Sequence, residues 1–322
     1  MNPVRAFTRS FLLGSLALGL MGTGGQAAGW EQGQHMPAGR AYAAGAALGN
    51  DLYVVGGATT AGPVSATEIY DMKEDLWRAA PALPVGLQQF GLVSLSGRLY
   101  AAGGFAAAGR NGEGGGPSAA LYVFDPAVGV WMDASPMPQA RVGVRLAAIG
   151  ERIYALGGRG ESAAGVYVYD PSSDEWSKAS SPMPAPRSGA AVIAMGGLIY
   201  VIGGQNGGVP TARVDIYDPA KGAWRAGPAL PAARSGLAVA LADGAIHVAG
   251  GEDIKAQKTF ADHYVLDPAA GAWRKLAPLP TPRHDAVAGA GAGRFYVIGG
   301  GAGAGVYAVF TASDQVEYSS TK

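Results

Sequence analysis

The chain contains no cysteine. Disulfides and cysteine-linked lipid anchors are therefore excluded, and packing and hydrogen bonds must hold any fold it adopts. Charge is also sparse: charged residues make up 15% of the 322 positions and cancel to a formal net of zero. No patch of like charge marks a nucleic-acid or anionic-membrane surface. The four histidines, His35, His247, His263 and His284, lie in different elements without metal-ligand spacing, so no metal is expected. There is no Gly-x-Ser-x-Gly nucleophile elbow. The glycine-rich stretch 105–118 lacks the Lys-Ser/Thr of a phosphate cradle, and no helix follows it.

What the chain has instead is a repeat, and internal repeats take precedence over element assignment. Gly-Gly pairs follow apolar runs at Gly56-Gly57, Gly103-Gly104, Gly157-Gly158, Gly203-Gly204, Gly250-Gly251 and Gly299-Gly300. All 6 tryptophans fall in the same frame: Trp30, Trp77, Trp131, Trp176, Trp224 and Trp273. An aromatic-Asp pair precedes most of them, as at Tyr70-Asp71, Phe124-Asp125, Tyr169-Asp170 and Tyr217-Asp218, with Leu266-Asp267 as the variant. Each unit holds short runs rich in Val, Ile and Tyr, bounded by Gly, Pro or Asp, which predicts a four-stranded antiparallel meander. Asp-Pro pairs such as Asp170-Pro171 and Asp218-Pro219 open tight turns. A lone four-stranded sheet cannot bury both faces, so the units must stack.

Strand, Gly-Gly, Tyr-Asp and Trp recurring in register resemble the Kelch repeat over residues 30–310. The resemblance implies an all-β, six-bladed β-propeller around an axial channel. The small-sided first runs, such as Ala43–Ala47 and Ala286–Gly291, suit strands crowded at an axis. Trp30 precedes the first complete unit, and the last unit offers a third strand at Val306–Phe310 but no tryptophan after it. Trp30 should therefore supply the outer strand of the sixth blade and close the ring, removing an open edge.

Residues 1–28 stand outside the repeat. Arg5 and Arg9, the apolar core Phe11–Met21 and the small exit residues Ala27-Ala28 read as a secretory signal, too short in its core to span a membrane as a helix. Cleavage near Ala27 or Ala28 removes two of the 24 basic residues and leaves a net charge of −2. The expected location is periplasmic or secreted, in a bacterial setting. The expected domain plan is a signal peptide over 1–28, the propeller over 29–310 and a frayed polar tail over 311–322.

In a meander, the loop leading into the first strand and the loop joining the second to the third lie on one face. The leading loops end in Pro-x-x-Arg at Arg40, Arg141, Arg187, Arg234 and Arg283; blade two has Leu87 there, followed by Gln88-Gln89. Five arginines are thus expected to ring one mouth, overhung by the loops Phe105–Ser118 and Glu252–Phe260. Blade six is expected to carry only a short Gly/Ala loop. Guanidinium groups pair with carboxylates and sulfates, and converging ones make a cationic cleft. The Kelch resemblance implies ligand-lining roles for Arg141, Arg187, Arg234 and Arg283; the other reading is that these arginines brace the blades. His284, followed by Asp285, offers a titratable group in the same ring.

The function expected is a binding module that holds an acidic peptide, a protein loop or an anionic glycan. It would need no cofactor, bind no nucleic acid and act as a monomer. The alternative is a carbohydrate-active enzyme: exported Kelch propellers include sialic-acid mutarotases, and Glu252 or His284 would move the anomeric proton. The copper chemistry of Kelch oxidases with a Tyr–Cys cofactor is excluded by the missing cysteine.

Overall fold

The computed structural model describes residues 29–109, 115–160, 163–267 and 269–321. The export signal expected over 1–28, and Arg110, Asn111, Glu113 and Glu161 of the loops, lie outside the described residues.

The described chain forms six four-stranded antiparallel sheets; in five of them the strands run in sequence order from axis to rim, and in the sixth the outermost strand comes from the start of the described chain. Blade four is typical: Ala191–Met195, Leu198–Ile202, Val214–Asp218 and Ala223–Ala226. The innermost strands neighbour one another in chain order, and Val287–Gly291 of blade six returns to Ala44–Leu48 of blade one. The small side chains at the axis have a simple cause. Gly45 faces Val287 so closely that an added Cβ would lie 2.1 Å from its Cγ1.

Three recurring contacts convert the repeat into a ring. Each tryptophan indole donates to a carbonyl of the preceding blade: Trp77 to Gln34, Trp131 to Pro81, Trp176 to Ser135, Trp224 to Ser181, Trp273 to Pro228 and Trp30 to Ala277. The aromatic of the third strand packs on the same ring, as in Tyr217–Trp224 with centroids 4.9 Å apart. The Gly-Gly pair grips the following blade. Gly204 N–H donates to the Arg234 carbonyl at 2.9 Å. Gly203 has φ +61° and would place a Cβ 2.6 Å from that same oxygen, so no side chain fits. Equivalent latches run from Gly57 to Leu87, Gly104 to Arg141, Gly158 to Arg187, Gly251 to Arg283 and Gly300 to Arg40.

The amino-terminal strand closes the ring as expected, but against a different partner. Trp30–Gln32 pairs with Val316–Ser320, with Trp30 opposite Ser319 and Gln32 opposite Glu317. Val316–Ser320 is the third strand of blade six, paired on its other side with Arg294–Ile298. The segment expected as a frayed tail over 311–322 is thus the seam of the molecule. Val306–Phe310, expected as that strand, lies instead in a 3-10 helix, Gly305–Thr311, with Val306, Tyr307 and Phe310 exposed. The reason is electrostatic as well as steric. The third strand here presents an acid to the blade's own arginine: Glu317 does so for Arg283 in Val316-Glu317-Tyr318 as Asp215 does for Arg187 in Val214-Asp215-Ile216. Val306–Phe310 has no acid to offer. Residues 301–315 therefore form a long loop between the second and third strands of blade six, not the short one expected.

No described helix is long and apolar enough to cross a membrane.

Candidate functional site

The five leading arginines do not line the mouth. Arg40, Arg141, Arg187, Arg234 and Arg283 are all at most 3% exposed. Each turns back into its own blade. Arg187 Nη1 lies 2.8 Å from Asp215 and its Nη2 donates to the Val201 carbonyl. Arg40 pairs with Glu68, Arg234 with Asp262 and Arg283 with Glu317. Arg141 donates to the Gly165 carbonyl and lies 4.5 Å over the Tyr167 ring. A buried guanidinium must be neutralised and hydrogen-bonded, and the third strand or the residue just before it supplies the acid for Arg40, Arg187, Arg234 and Arg283. Blade two has Leu87 in place of the arginine, and so has no buried guanidinium to brace. In this arrangement the five arginines are buried within their own blades and do not form the ring around the mouth that the sequence suggests.

Many of the residues that line the mouth occupy two other positions of the repeat. One lies two residues past the leading arginine: Tyr42, Gln89, Gly143, Gly189, Gly236 and Asp285, all at positive φ. Backbone bonds join this position from blade to blade, Gly143 to Gln89, Gln89 to Tyr42, Tyr42 to Asp285, Asp285 to Gly236 and Gly236 to Gly189. The result is a collar around the axis. Glycine suits it best, so Tyr42, Gln89 and Asp285 are held there at some cost in backbone strain. The other position directly follows Gly-Gly: Ala58, Phe105, Arg159, Gln205, Glu252 and Gly301. It bridges to the residue after the leading arginine, as in Val142 with Arg159 and Ser235 with Glu252. Both positions vary from unit to unit while their backbone role stays constant. That variation is the signal that reading the invariant arginines missed.

Above the collar lies a cavity of about 480 Å³, lined by Tyr42, Gln89, Arg145, Arg159, Gln205, Glu252, Asp285 and the 3-10 segment of blade six. Below it the axial channel runs between the small-sided inner strands, with Arg145 and Asp285 at the junction of the two. Blades three and six stand opposite one another, so the 3.6 Å pair of Arg145 with Asp285 crosses the axis.

His284 was expected in the mouth ring, and the structure places it beneath this cavity, fully buried. Its Nδ1 lies 3.0 Å from Asp285 and 3.4 Å from Glu252, and its Nε2 lies 2.8 Å from the Gly303 carbonyl. Both ring nitrogens face acceptors, which is the environment of an imidazolium. Burial alone would depress its pKa, but the Asp285 and Glu252 carboxylates outweigh burial and raise it to about 9. Glu252 is raised by burial, against the pull of His284; Asp285 is held low despite burial by His284, Arg145 and Arg159. Glu252 also accepts the Gly305 N–H at 2.6 Å, and the Tyr42 hydroxyl donates to the Gly305 carbonyl at 2.6 Å. The 301–315 loop is thereby pinned over one side of the mouth.

Arg159 differs from the five leading arginines. It is exposed, lines the cavity and donates to Gln89 Oε1 at 3.3 Å, and among the described residues no carboxylate lies within ion-pair distance of it. Glu252, His284 and Asp285 place their ligand atoms within 4.8 Å of one another. Two carboxylates converging on one imidazole nitrogen need a positive charge between them, and protonated His284 supplies it.

Similarity to known proteins agrees with the architecture. Human Kelch-like protein 34 is 39% identical over 152 residues, covering 46% of this chain and 23% of the human one. Mouse Kelch-like protein 35 is 28% identical over 183 residues, covering 57% of this chain and 30% of the mouse one. Beta-scruin of Limulus polyphemus is 27% identical over 148 residues, 46% of this chain and 16% of its own. The chain thus spans less than a third of the length of each of these relatives. The solved structure of YjhT superposes with a TM-score of 0.72 at 18% identity, over 88% of this chain and 95% of that one, which establishes a shared fold. The Kelch motif matches residues 39–84, and the KLHDC2/KLHL20/DRC7 Kelch-repeats domain matches residues 89–301, about two thirds of the sequence. The chain belongs to that family of Kelch-repeat propellers.

Proposed function

We propose that the protein is an exported binding module whose mouth holds an anionic ligand: an acidic peptide, a protein loop or an anionic glycan. The reading agrees with Kelch domains being interaction modules. One observation carries it: Arg159 presents a guanidinium to the cavity while its acidic neighbours are engaged elsewhere, Asp285 with His284 and Glu252 with Gly305. Such a group recognises carboxylate or sulfate through paired N–H donors. Arg145, Gln89 and Gln205 add donors around it.

Probing a glycan and peptide array with the mature protein and with Arg159→Ala tests the reading. Retention of acidic members is expected to fall about tenfold in the variant, equivalent to ~1.4 kcal/mol of binding. Equal retention by both proteins would remove it.

A second reading, sialic-acid mutarotation, is favoured by the buried Glu252–His284 pair beside Arg159. A carboxyl group raised by burial is suited to proton transfer. Anomer equilibration of N-acetylneuraminic acid, followed by NMR, is expected to be faster than buffer and to lose that acceleration in Glu252→Gln. A rate equal to buffer in the wild type ends this alternative.

A further inference from the structure

Each blade leaves its outermost strand unpaired on one side, so six strand edges lie at the rim of the disc. An exposed edge is a template for another strand, and folded proteins guard such edges with charge. Five blades carry that guard directly beside the rim tryptophan. Arg78 adjoins Trp77, Glu175 adjoins Trp176, Arg225 adjoins Trp224, Arg274 adjoins Trp273 and Glu31 adjoins Trp30. Blade two has none: Val130 and Met132 flank Trp131, and Val128 lies two positions before Val130.

The outermost strand of blade two, Val130–Ala134, ends its sheet, with Leu121–Asp125 as its one ladder partner among the described residues. Beyond it the chain is tied to blade three, where Ser135 N–H donates to Asp174 at 2.9 Å. The open edge is therefore short and well bounded. Val128, Val130 and Met132 are 67%, 42% and 42% exposed. A scattered exposed apolar residue needs no explanation. Three at alternating positions along one open edge make a stripe, and such stripes mark contacts.

This strand is complementary to itself. Laid antiparallel against a second copy about a two-fold axis at Met132, it sets Met132 opposite Met132, Val130 opposite Ala134 and Trp131 opposite Asp133. Directly opposed residues share a face of the sheet, so the apolar side chains of both copies gather on one side. Asp133 is the only charge on the strand, and in this register it does not meet its own copy. Centring the axis on Asp133 would instead oppose two carboxylates, which is unfavourable. The pairing uses the same edge of both copies, so assembly stops at two.

We infer that the protein forms a two-fold dimer in which Val130–Ala134 of blade two pairs antiparallel with the same strand of a second copy. The contact is small for a permanent interface, so the dimer dissociates on dilution. The monomer expected from the sequence is then the dilute limit.

Sedimentation velocity of the protein from low micromolar to sub-millimolar concentration tests this. The wild type is expected to pass from monomer to dimer across that range. Met132→Arg copies the guard of blades one, four and five and opposes two guanidinium groups, and it should weaken the dimer by at least about tenfold. Thermal melts confirm that the variant is folded. The chain has no cysteine, so one introduced thiol reports its own surroundings. Opposed residues have Cβ atoms about 5 Å apart, near enough for a disulfide after a small adjustment. Met132→Cys should therefore give a covalent dimer on mild oxidation. Ser177→Cys, at the matching position of blade three, should remain monomeric. A wild type that is monomeric throughout, a dimer that survives Met132→Arg, species larger than a dimer, or equal cross-linking through both cysteines overturns the inference.

Discussion

Arg187 and Arg159 lie in neighbouring units on the same face of the disc, yet they do opposite work. Arg187 is 3% exposed, pairs with Asp215 and donates to backbone carbonyls. Arg159 stands exposed over a cavity with a glutamine for company. Arg187 recurs in every unit but one, whereas no other unit has an arginine where Arg159 stands. In a repeat protein the side chain that each unit shares serves each unit's own fold, and the side chain that one unit alone carries is available for a ligand.

The contrast can be broken most forcefully at Arg283. Arg283→Ala leaves Glu317, which is fully buried, without its cation on the strand that pairs with Trp30–Gln32. A buried ion left unpaired costs on the order of 3–5 kcal/mol. Urea unfolding should show this loss, and an Arg283→Met, Glu317→Leu double variant should recover most of it. If Arg283→Ala unfolds like wild type, the brace has been misread. Trp30→Ala should cost a similar or somewhat smaller amount, about 3–5 kcal/mol for a buried tryptophan. Its indole packs on His263 and Phe295 and donates to Ala277, joining blade six to blade five.

One pair of histidines and one single histidine sharpen the comparison through pH. At the blade five seam, His247 Nδ1 and His263 Nε2 lie 3.0 Å apart in the core. Burial lowers His247 to about 4 and His263 to about 3, with Arg274 and the neighbouring imidazole adding to the effect. The unfolded chain takes up protons near pH 6.5 and the folded one does not, so stability is full above about 6.5 and falls as pH drops toward 4. His284 has the opposite sign. Its folded pKa is raised to about 9, so its contribution is complete below about 6.5 and is lost as pH rises toward 9. Thermal melts across this range should show both limbs. His284→Asn should flatten the alkaline limb alone; if it flattens the acidic limb instead, the assignment of the imidazolium to the mouth fails. The smallest effect is expected at Arg159→Ala, within about 0.5 kcal/mol of wild-type stability, because the side chain is exposed and the largely buried Asp285 keeps His284 and Arg145 beside it.

Much of the architecture was legible in the chain because each cue has a local cause. Gly203-Gly204 must be glycine because another backbone occupies the space. Trp224 must be an indole because it fills the rim and reaches a carbonyl one blade back. The site was less legible. Nothing in the string Pro184-Ala185-Pro186-Arg187 says whether the guanidinium turns outward to the mouth or back to Asp215. That outcome depends on a strand beginning 27 positions later at Val214. The last strand was misplaced for the same reason. Val306–Phe310 is the more apolar segment, but Val316–Ser320 carries the acid that Arg283 requires.

Alone, the sequence determined the number of units, their order and the need for the amino-terminal strand to close the ring, because those follow from spacing and from edges that cannot remain open. Only the tertiary structure decided which arginines are buried, which residues meet above the collar and where the blade six loop lies. Those outcomes rest on groups distant in the chain neutralising one another, and a charge acquires its partner only when the ring has closed.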